Sequence, residues 1–350
     1  MTSDTATRHR APTIGVGIRA VGRALPDRVV TNAELEQRFD TTDQWIRDNI
    51  GVRTRRVSAP NEGSGDLGAR ALLDACEQAG VDVDTIDLVI CGTYTPDHMI
   101  PANALSIMRR VGLTGATGFD VNSGGCPGGV FALDVGAKYV ASGEYRRVAV
   151  VLADVNTKTF DPTDRTVGVI FGDGAACYLL EPTVPGTGIG RTVLRSDPTR
   201  YHIAYVSRQP RVAPDGTPIR SYFGDNFAVM VGREVRNFAL EVMPAFIAEL
   251  VDKEGIRPDE VDLYLLHQAN LHIIHAIMDR LGQPRSKTVT NVERNGNTSG
   301  AGLALAMRDA IDANRLRPGD RVVLAAFGAG MSYGGMIIRW CGPDDFQVAS

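Results

Sequence analysis

Two stretches of this chain recur at nearly one spacing. Ile86-Asp87-Leu88-Val89-Ile90-Cys91-Gly92 matches Val261-Asp262-Leu263-Tyr264-Leu265-Leu266-His267, an offset of 175 residues. Arg147-Val148-Ala149-Val150-Val151-Leu152-Ala153 matches Arg321-Val322-Val323-Leu324-Ala325-Ala326, an offset of 174. In each copy the second run follows a glycine-rich turn and a helical pattern, over residues 128–142 and 300–313. The order is kept, so gene duplication accounts for it, and two similar α/β halves related by a pseudo-twofold are expected. The runs are almost wholly apolar, as in strands buried on both faces. Their alternation with helices is that of βαβ units. The halves are expected over residues 1–185 and 186–350. Residues 197–227, rich in prolines and glycines, read as an inserted loop.

The duplication places the chemistry. Cys126 lies in Val121-Asn122-Ser123-Gly124-Gly125-Cys126-Pro127-Gly128-Gly129, after a strand-like stretch and before a helix. It is expected to cap that helix, with Pro127 at the first helical position. Unpaired N–H groups and the helix dipole there would favour thiolate, the nucleophilic form of cysteine. Adding 174 to position 126 reaches Gly300, beside Asn297-Thr298-Ser299. His267 ends the strand equivalent to the one ending at Gly92, and His267-Gln268-Ala269-Asn270 opens a helix running to residue 281. Ligands of open α/β sheets bind at the carboxyl ends of the strands. Taken singly, Cys126 also fits a small buried hydrophobe, His267 a core histidine and Asn297 a turn residue. Their duplication-consistent positions favour one thiol–imidazole–carboxamide site. Cys76, Cys91, Cys177 and Cys341 sit in apolar surroundings and read as core.

Several classes lack support. The 350 residues are 43% hydrophobic and 22% charged, ordinary for a globular protein. Net charge is −4 with no dense basic stretch, against nucleic acid as the main partner. No apolar run reaches membrane-span length, and residues 1–12 have no signal-peptide core, so a cytoplasmic protein with reduced thiols is expected. No Cys-x-x-Cys pair suggests zinc or dithiol redox chemistry. His272 and His275 have no third ligand at motif spacing, so no metal is expected. No Gly-x-Ser-x-Gly elbow or phosphate-binding Gly-x-x-x-x-Gly-Lys-Ser/Thr loop occurs.

His267-Gln-Ala-Asn, Gly296-Asn297-Thr298-Ser299, Phe171-Gly172-Asp173-Gly174-Ala175-Ala176 and Ala326-Phe327-Gly328-Ala329-Gly330 resemble the motifs of β-ketoacyl-acyl carrier protein synthase III, in the thiolase superfamily. Thr31-Asn32-Ala33-Glu34-Leu35 and Asp43-Gln44-Trp45-Ile46 fit as well, and the likeness runs collinearly over about residues 13–340. It implies a thiolase-like duplicated five-layered α-β-α-β-α fold and a homodimer. It also implies acyl transfer from acyl-coenzyme A (acyl-CoA) to Cys126, then decarboxylative condensation with a malonyl thioester on acyl carrier protein or CoA. No tightly bound cofactor is implied; the CoA thioesters are substrates. His267 and Asn297 would donate hydrogen bonds to the developing enolate. The backbone N–H groups of Cys126 and Ala329 would form the oxyanion hole. Trp45 and Arg165 match positions that grip the CoA adenine.

The chain departs from the family pattern away from these residues. Asn49 and His272 stand where arginines are usual, and Asn237 and Asp279 where basic residues dock an acidic carrier. Cys126-Pro127-Gly128-Gly129 replaces a more usual Cys-Ala-Gly-Phe, and Ala329 replaces a glycine. A specialised relative that loads a starter unit in polyketide or fatty-acid-like biosynthesis is expected. One alternative is an acyltransferase that passes the Cys126-bound acyl group to a hydroxyl or amine. Another is a non-catalytic partner subunit of a condensing heterodimer, which the intact Cys126, His267 and Asn297 disfavour. Met230, Phe223 and Phe227 are candidate pocket residues.

Overall fold

The computed structural model describes residues 14–122, 125–206, 211–212, 218–219 and 228–346. Five strands come from the first part of the chain: β1 (Gly15–Ala24), β2 (Leu88–Gly92), β3 (Thr117–Val121), β4 (Val148–Asp154) and β5 (Gly174–Thr183). Four follow: β6 (Gly188–Ser196), β7 (Leu263–Leu266), β8 (Arg321–Gly328) and β9 (Ser332–Arg339). They hydrogen-bond in the order β7-β8-β9-β6-β1-β5-β4-β2-β3.

That order is one topology written twice. In the first part, β2 pairs parallel with β3 and β4, and β5 runs antiparallel to β4 and β1. In the second, β7 pairs parallel with β8, and β9 runs antiparallel to β8 and β6. The counterpart of β3 is reduced to a parallel bridge between Tyr264 and Thr288. The two sets join at a single parallel pair, Val16 with Gly188.

Seven helices matter here: α1 (Asp43–Asn49), α2 (Ser64–Ala79), α3 (Asn103–Val111), α4 (Gly128–Ala141), α5 (Gly232–Lys253), α6 (Leu271–Arg280) and α7 (Ala301–Asp312). Alternation along the strands sorts them into layers, because successive side chains leave a strand on opposite faces. Val148, Val150 and Leu152 of β4 pack with α4 and α7, as do Val322, Leu324 and Ala326 of β8. Ala149, Val151 and Ala153 face α2 and α3. Val323, Ala325 and Phe327 face α5 and α6. The layers are therefore helix, sheet, helix, sheet, helix, with α4 and α7 in the middle.

Glycine lets the two central helices meet at their starts. A Cβ at Gly129 would lie 2.7 Å from the Gly300 carbonyl oxygen, and one at Gly300 would lie 3.2 Å from the Gly125 oxygen. The turns ahead of α4 and α7 are thus pressed together. Among the described residues no helix is long and apolar enough to cross a membrane.

Candidate active site

Cys126, His267 and Asn297 converge on one cavity of about 1710 Å³. Asn297 Nδ2 lies 3.9 Å from Cys126 Sγ, across 171 positions of sequence. Ala329, Trp45 and Arg165 line the same cavity.

The Cys126 turn differs from expectation by one residue. Helix α4 starts at Gly128, and Pro127 takes the cap position. Cys126 sits just ahead, in a turn closed by the Gly128 N–H donating to the Gly125 carbonyl at 2.8 Å. Gly125 adopts φ +71°, a left-handed conformation that glycine enters without strain. Its neighbours Ser123 and Gly124 lie outside the described residues.

Burial of the sulfur runs against the expected bias toward thiolate. Cys126 is half-buried, but protein walls surround its sulfur. Burial pushes the thiol up to about 12, and the hydrogen bond from Asn297 only partly opposes this. Loss of hydration favours the neutral form.

His267 follows β7 and extends its pairing, its N–H donating to the Ala325 carbonyl at 2.9 Å. It precedes α6 rather than opening it. Asn270 is the cap, its side chain accepting from the N–H groups of His272 and Ile273. The Asn270 amide also donates to the Asn49 carbonyl at 2.9 Å, tying α6 to α1. The His267 ring packs edge-on against Phe327 at 5.4 Å. Burial holds its pKa down to about 3, so the imidazole is neutral and keeps one N–H to donate. Nδ1 has no hydrogen-bond partner among the described residues.

Asn297 is pinned at backbone and side chain. Its N–H donates to Ile170 and its carbonyl accepts from Gly172, at 2.9 and 3.0 Å. A Cβ at Gly172 would come 2.1 Å from the Asn295 oxygen, so the Phe171-Gly172-Asp173-Gly174 run needs glycine there to approach this turn. The Asn297 Oδ1 accepts from the Ser299 N–H at 2.9 Å, which leaves the amide N–H groups facing Cys126. Ser299 makes that bond from a left-handed φ of +56°.

At another part of the cavity the Arg165 guanidinium stands 4.8 Å over the Trp45 ring and donates to the Asp40 carbonyl at 2.9 Å. Trp45 is 39% exposed, so it is a surface platform and not a core aromatic. Asn49 donates to the Trp45 carbonyl, and a His272 ring nitrogen pairs with the Arg47 carbonyl. Asp279 is engaged by Arg285 at 2.6 Å. Met230 lines the cavity, whereas Phe223 and Phe227 fall outside the described residues.

Sequence reasoning missed Tyr94, Asp154 and Ser299. Asp154 Oδ1 accepts from Thr93 Oγ1, Thr95 Oγ1 and the Tyr94 N–H at 2.9 to 3.0 Å. Burial raises its pKa to about 6. The only sequence signal was position, since Tyr94 follows β2 and Asp154 ends β4, both at carboxyl ends of parallel strands.

The fold defines the class: a thiolase-like enzyme of the acyl-transferring, condensing kind. A model of 3-oxoacyl-[acyl-carrier-protein] synthase III matches residues 119–198, and a model of its C-terminal part matches residues 251–340. The β-ketoacyl-[acyl-carrier-protein] synthase III of Symbiobacterium thermophilum is 38% identical over 93% of this chain and 98% of its own length. The solved structure of that synthase from Thermus thermophilus superposes with a TM-score of 0.87 at 38% identity, covering 93% of this chain and 99% of the other. The priming β-ketosynthase of the R1128 polyketide pathway superposes with a TM-score of 0.85 at 32% identity, covering 95% and 99%. The chain belongs to the β-ketoacyl-[acyl-carrier-protein] synthase III family.

Proposed function

We propose that this protein takes an acyl group from acyl-CoA onto Cys126 and condenses it with a malonyl thioester, loading a starter unit in fatty-acid or polyketide biosynthesis. The observation that supports this most is the 3.9 Å approach of Asn297 Nδ2 to Cys126 Sγ beside a neutral, buried His267. The halves over residues 1–185 and 186–350 divide the work: the first brings the nucleophile, the second the side-chain hydrogen-bond donors His267 and Asn297.

In the first half-reaction the Cys126 sulfur attacks the thioester carbonyl. The N–H groups of Cys126 and Ala329 receive the oxyanion. The C–S bond to CoA breaks, and the thiol proton of Cys126 leaves with the CoA sulfur. In the second, the malonyl thioester loses carbon dioxide and its carbonyl oxygen takes up enolate charge. The His267 N–H and the Asn297 amide donate to that oxygen. A neutral imidazole suits this role, because it donates without needing a proton from solvent. The carbanion then forms a bond to the acyl carbon, the C–S bond to Cys126 breaks, and the released thiolate takes up one proton from solvent to restore the thiol. Trp45 and Arg165 hold the adenine of CoA. The malonyl group rides on acyl carrier protein or CoA, and the active unit is a homodimer in the cytoplasm.

The test is intact-protein mass after incubation with short, branched, aromatic and dicarboxylic acyl-CoA thioesters. Wild type is expected to gain an acyl adduct and Cys126→Ala none, with product formation down at least about 10³-fold. Carbon dioxide release from a malonyl thioester should then match product formation. Product without carbon dioxide would instead identify transfer to a hydroxyl or amine.

A further inference from the structure

We propose that the ring of Tyr94 sets the size of the acyl group that Cys126 accepts, confining it to short apolar chains; this rests on the acyl-enzyme reading above. Tyr94 lines the cavity shared with Cys126. A Cβ placed on Gly125 would lie 3.0 Å from Tyr94 Cδ1 and 3.3 Å from Cε1. The edge of the ring therefore covers the residue immediately before the nucleophile.

The ring is held at both ends. Its backbone N–H donates to Asp154 Oδ1 at 3.0 Å, with Thr93 and Thr95 donating to the same oxygen. Its hydroxyl donates to Asn156 Oδ1 at 2.7 Å, and the Asn156 amide donates onward to the Gly172 carbonyl at 2.5 Å. Asn156 and Asp154 are buried. Displacing the ring would strand the Asn156 oxygen, and an unpaired buried acceptor is costly. Tyr94 is a fixed wall, not a movable one.

The neighbouring lining is apolar. Phe160 and Phe171 pack with ring centroids 4.5 Å apart, and Ala228 and Met230 lie against them. All four line the cavity. The Tyr94 ring shares this cavity with these groups and with Cys126, and an apolar site discriminates between chains that differ by methylenes.

The test compares wild type, Tyr94→Ala, Tyr94→Leu and Tyr94→Phe in competition between acetyl-CoA and hexanoyl-CoA, reading the two adducts on Cys126 by intact mass. Tyr94→Ala should raise the hexanoyl-to-acetyl ratio at least about tenfold over wild type. Tyr94→Leu should shift it in the same direction by less, and serves if the alanine variant does not fold. Tyr94→Phe keeps the ring but loses its Asn156 anchor, and should shift the ratio less than Tyr94→Leu. Acylated variants whose ratio stays within about twofold of wild type would overturn the proposal, as would a Tyr94→Phe shift equal to that of Tyr94→Ala. Wild type that takes no acyl group from any donor would overturn the acyl-enzyme reading and this proposal together. An unchanged ratio on a protein that does acylate would overturn this proposal alone.

Discussion

Equivalent positions in the two halves have been put to opposite uses. In the first, β2 ends at Gly92, where a Cβ would meet Leu152 Cδ2 at 2.7 Å and Ala132 Cβ at 3.2 Å. The core fills that place. In the second, the position after β7 is His267, whose ring faces the cavity. The turns before the central helices reverse the pattern. The first offers a half-buried cysteine, whereas the second offers Asn297, Thr298 and Ser299, all at most 4% exposed. A nucleophile has to be reached and to cycle between thiol and thioester. Donors to an enolate have to be fixed before charge develops, because preorganisation is what makes them effective. Duplication supplied two sites, and packing made one accessible and the other rigid.

The largest effect should come from the rigid turn. Asn297→Ala removes a fixed donor and should lower condensation by about 10² to 10³-fold, while the acyl adduct on Cys126 still forms. Quench-flow of adduct and product separates the two steps. An equal loss in both would mean that the second half does not specialise in the second half-reaction.

Next is the contact between the turns. Gly129→Ala forces a methyl toward the Gly300 oxygen, 2.7 Å away, and should destabilise the protein by about 1 to 3 kcal/mol. Gly300→Ala meets its nearest atoms at 3.2 Å and should cost less. Thermal melts of both variants check this, and equal melting points would argue against the asymmetry.

The pH response sharpens the role of His267. Burial keeps it neutral down to about 3, while in the unfolded chain it protonates near 6.5. Between those values the unfolded chain binds the extra proton, so stability falls as pH drops from about 6.5 toward 3. His267→Asn should remove about 2 kcal/mol of the loss between pH 7 and pH 5. Melts at those two pH values test it, and identical acid sensitivity would place the imidazole in a wetter site.

The smallest effect lies farthest from the comparison. Trp45→Ala should raise KM for acyl-CoA by roughly three- to thirtyfold, as loss of a cation–π platform does. A truncated thioester lacking the nucleotide should show no change, and an equal KM rise for that substrate would rule out an adenine contact.

Much of the fold was legible because duplication and strand alternation are local patterns. The offset of 174 to 175 paired β2 with β7 and β4 with β8, and the regions of α4 and α7 followed from it. Cys126, His267 and Asn297 could be named because each sits where a parallel strand or its turn ends. Tyr94 could not, since its meaning depends on Gly125 and Asn156, which lie 31 and 62 positions away in sequence.

The charge state of the site was beyond the sequence for the same reason. A helix start next to a cysteine argues for thiolate, and that argument is local. Desolvation is collective: it sums walls from segments far apart in sequence, among them Tyr94, Val155, Phe327 and the Asn297 turn, and it raises the thiol's pKa. The sequence by itself determined two α/β halves, their strands and the residue types that do chemistry. Only the tertiary structure decided that burial raises the thiol's pKa and keeps the imidazole neutral, that Ser299 aims the Asn297 amide, and that an anchored tyrosine walls the cavity, because each depends on distant segments excluding water from one place.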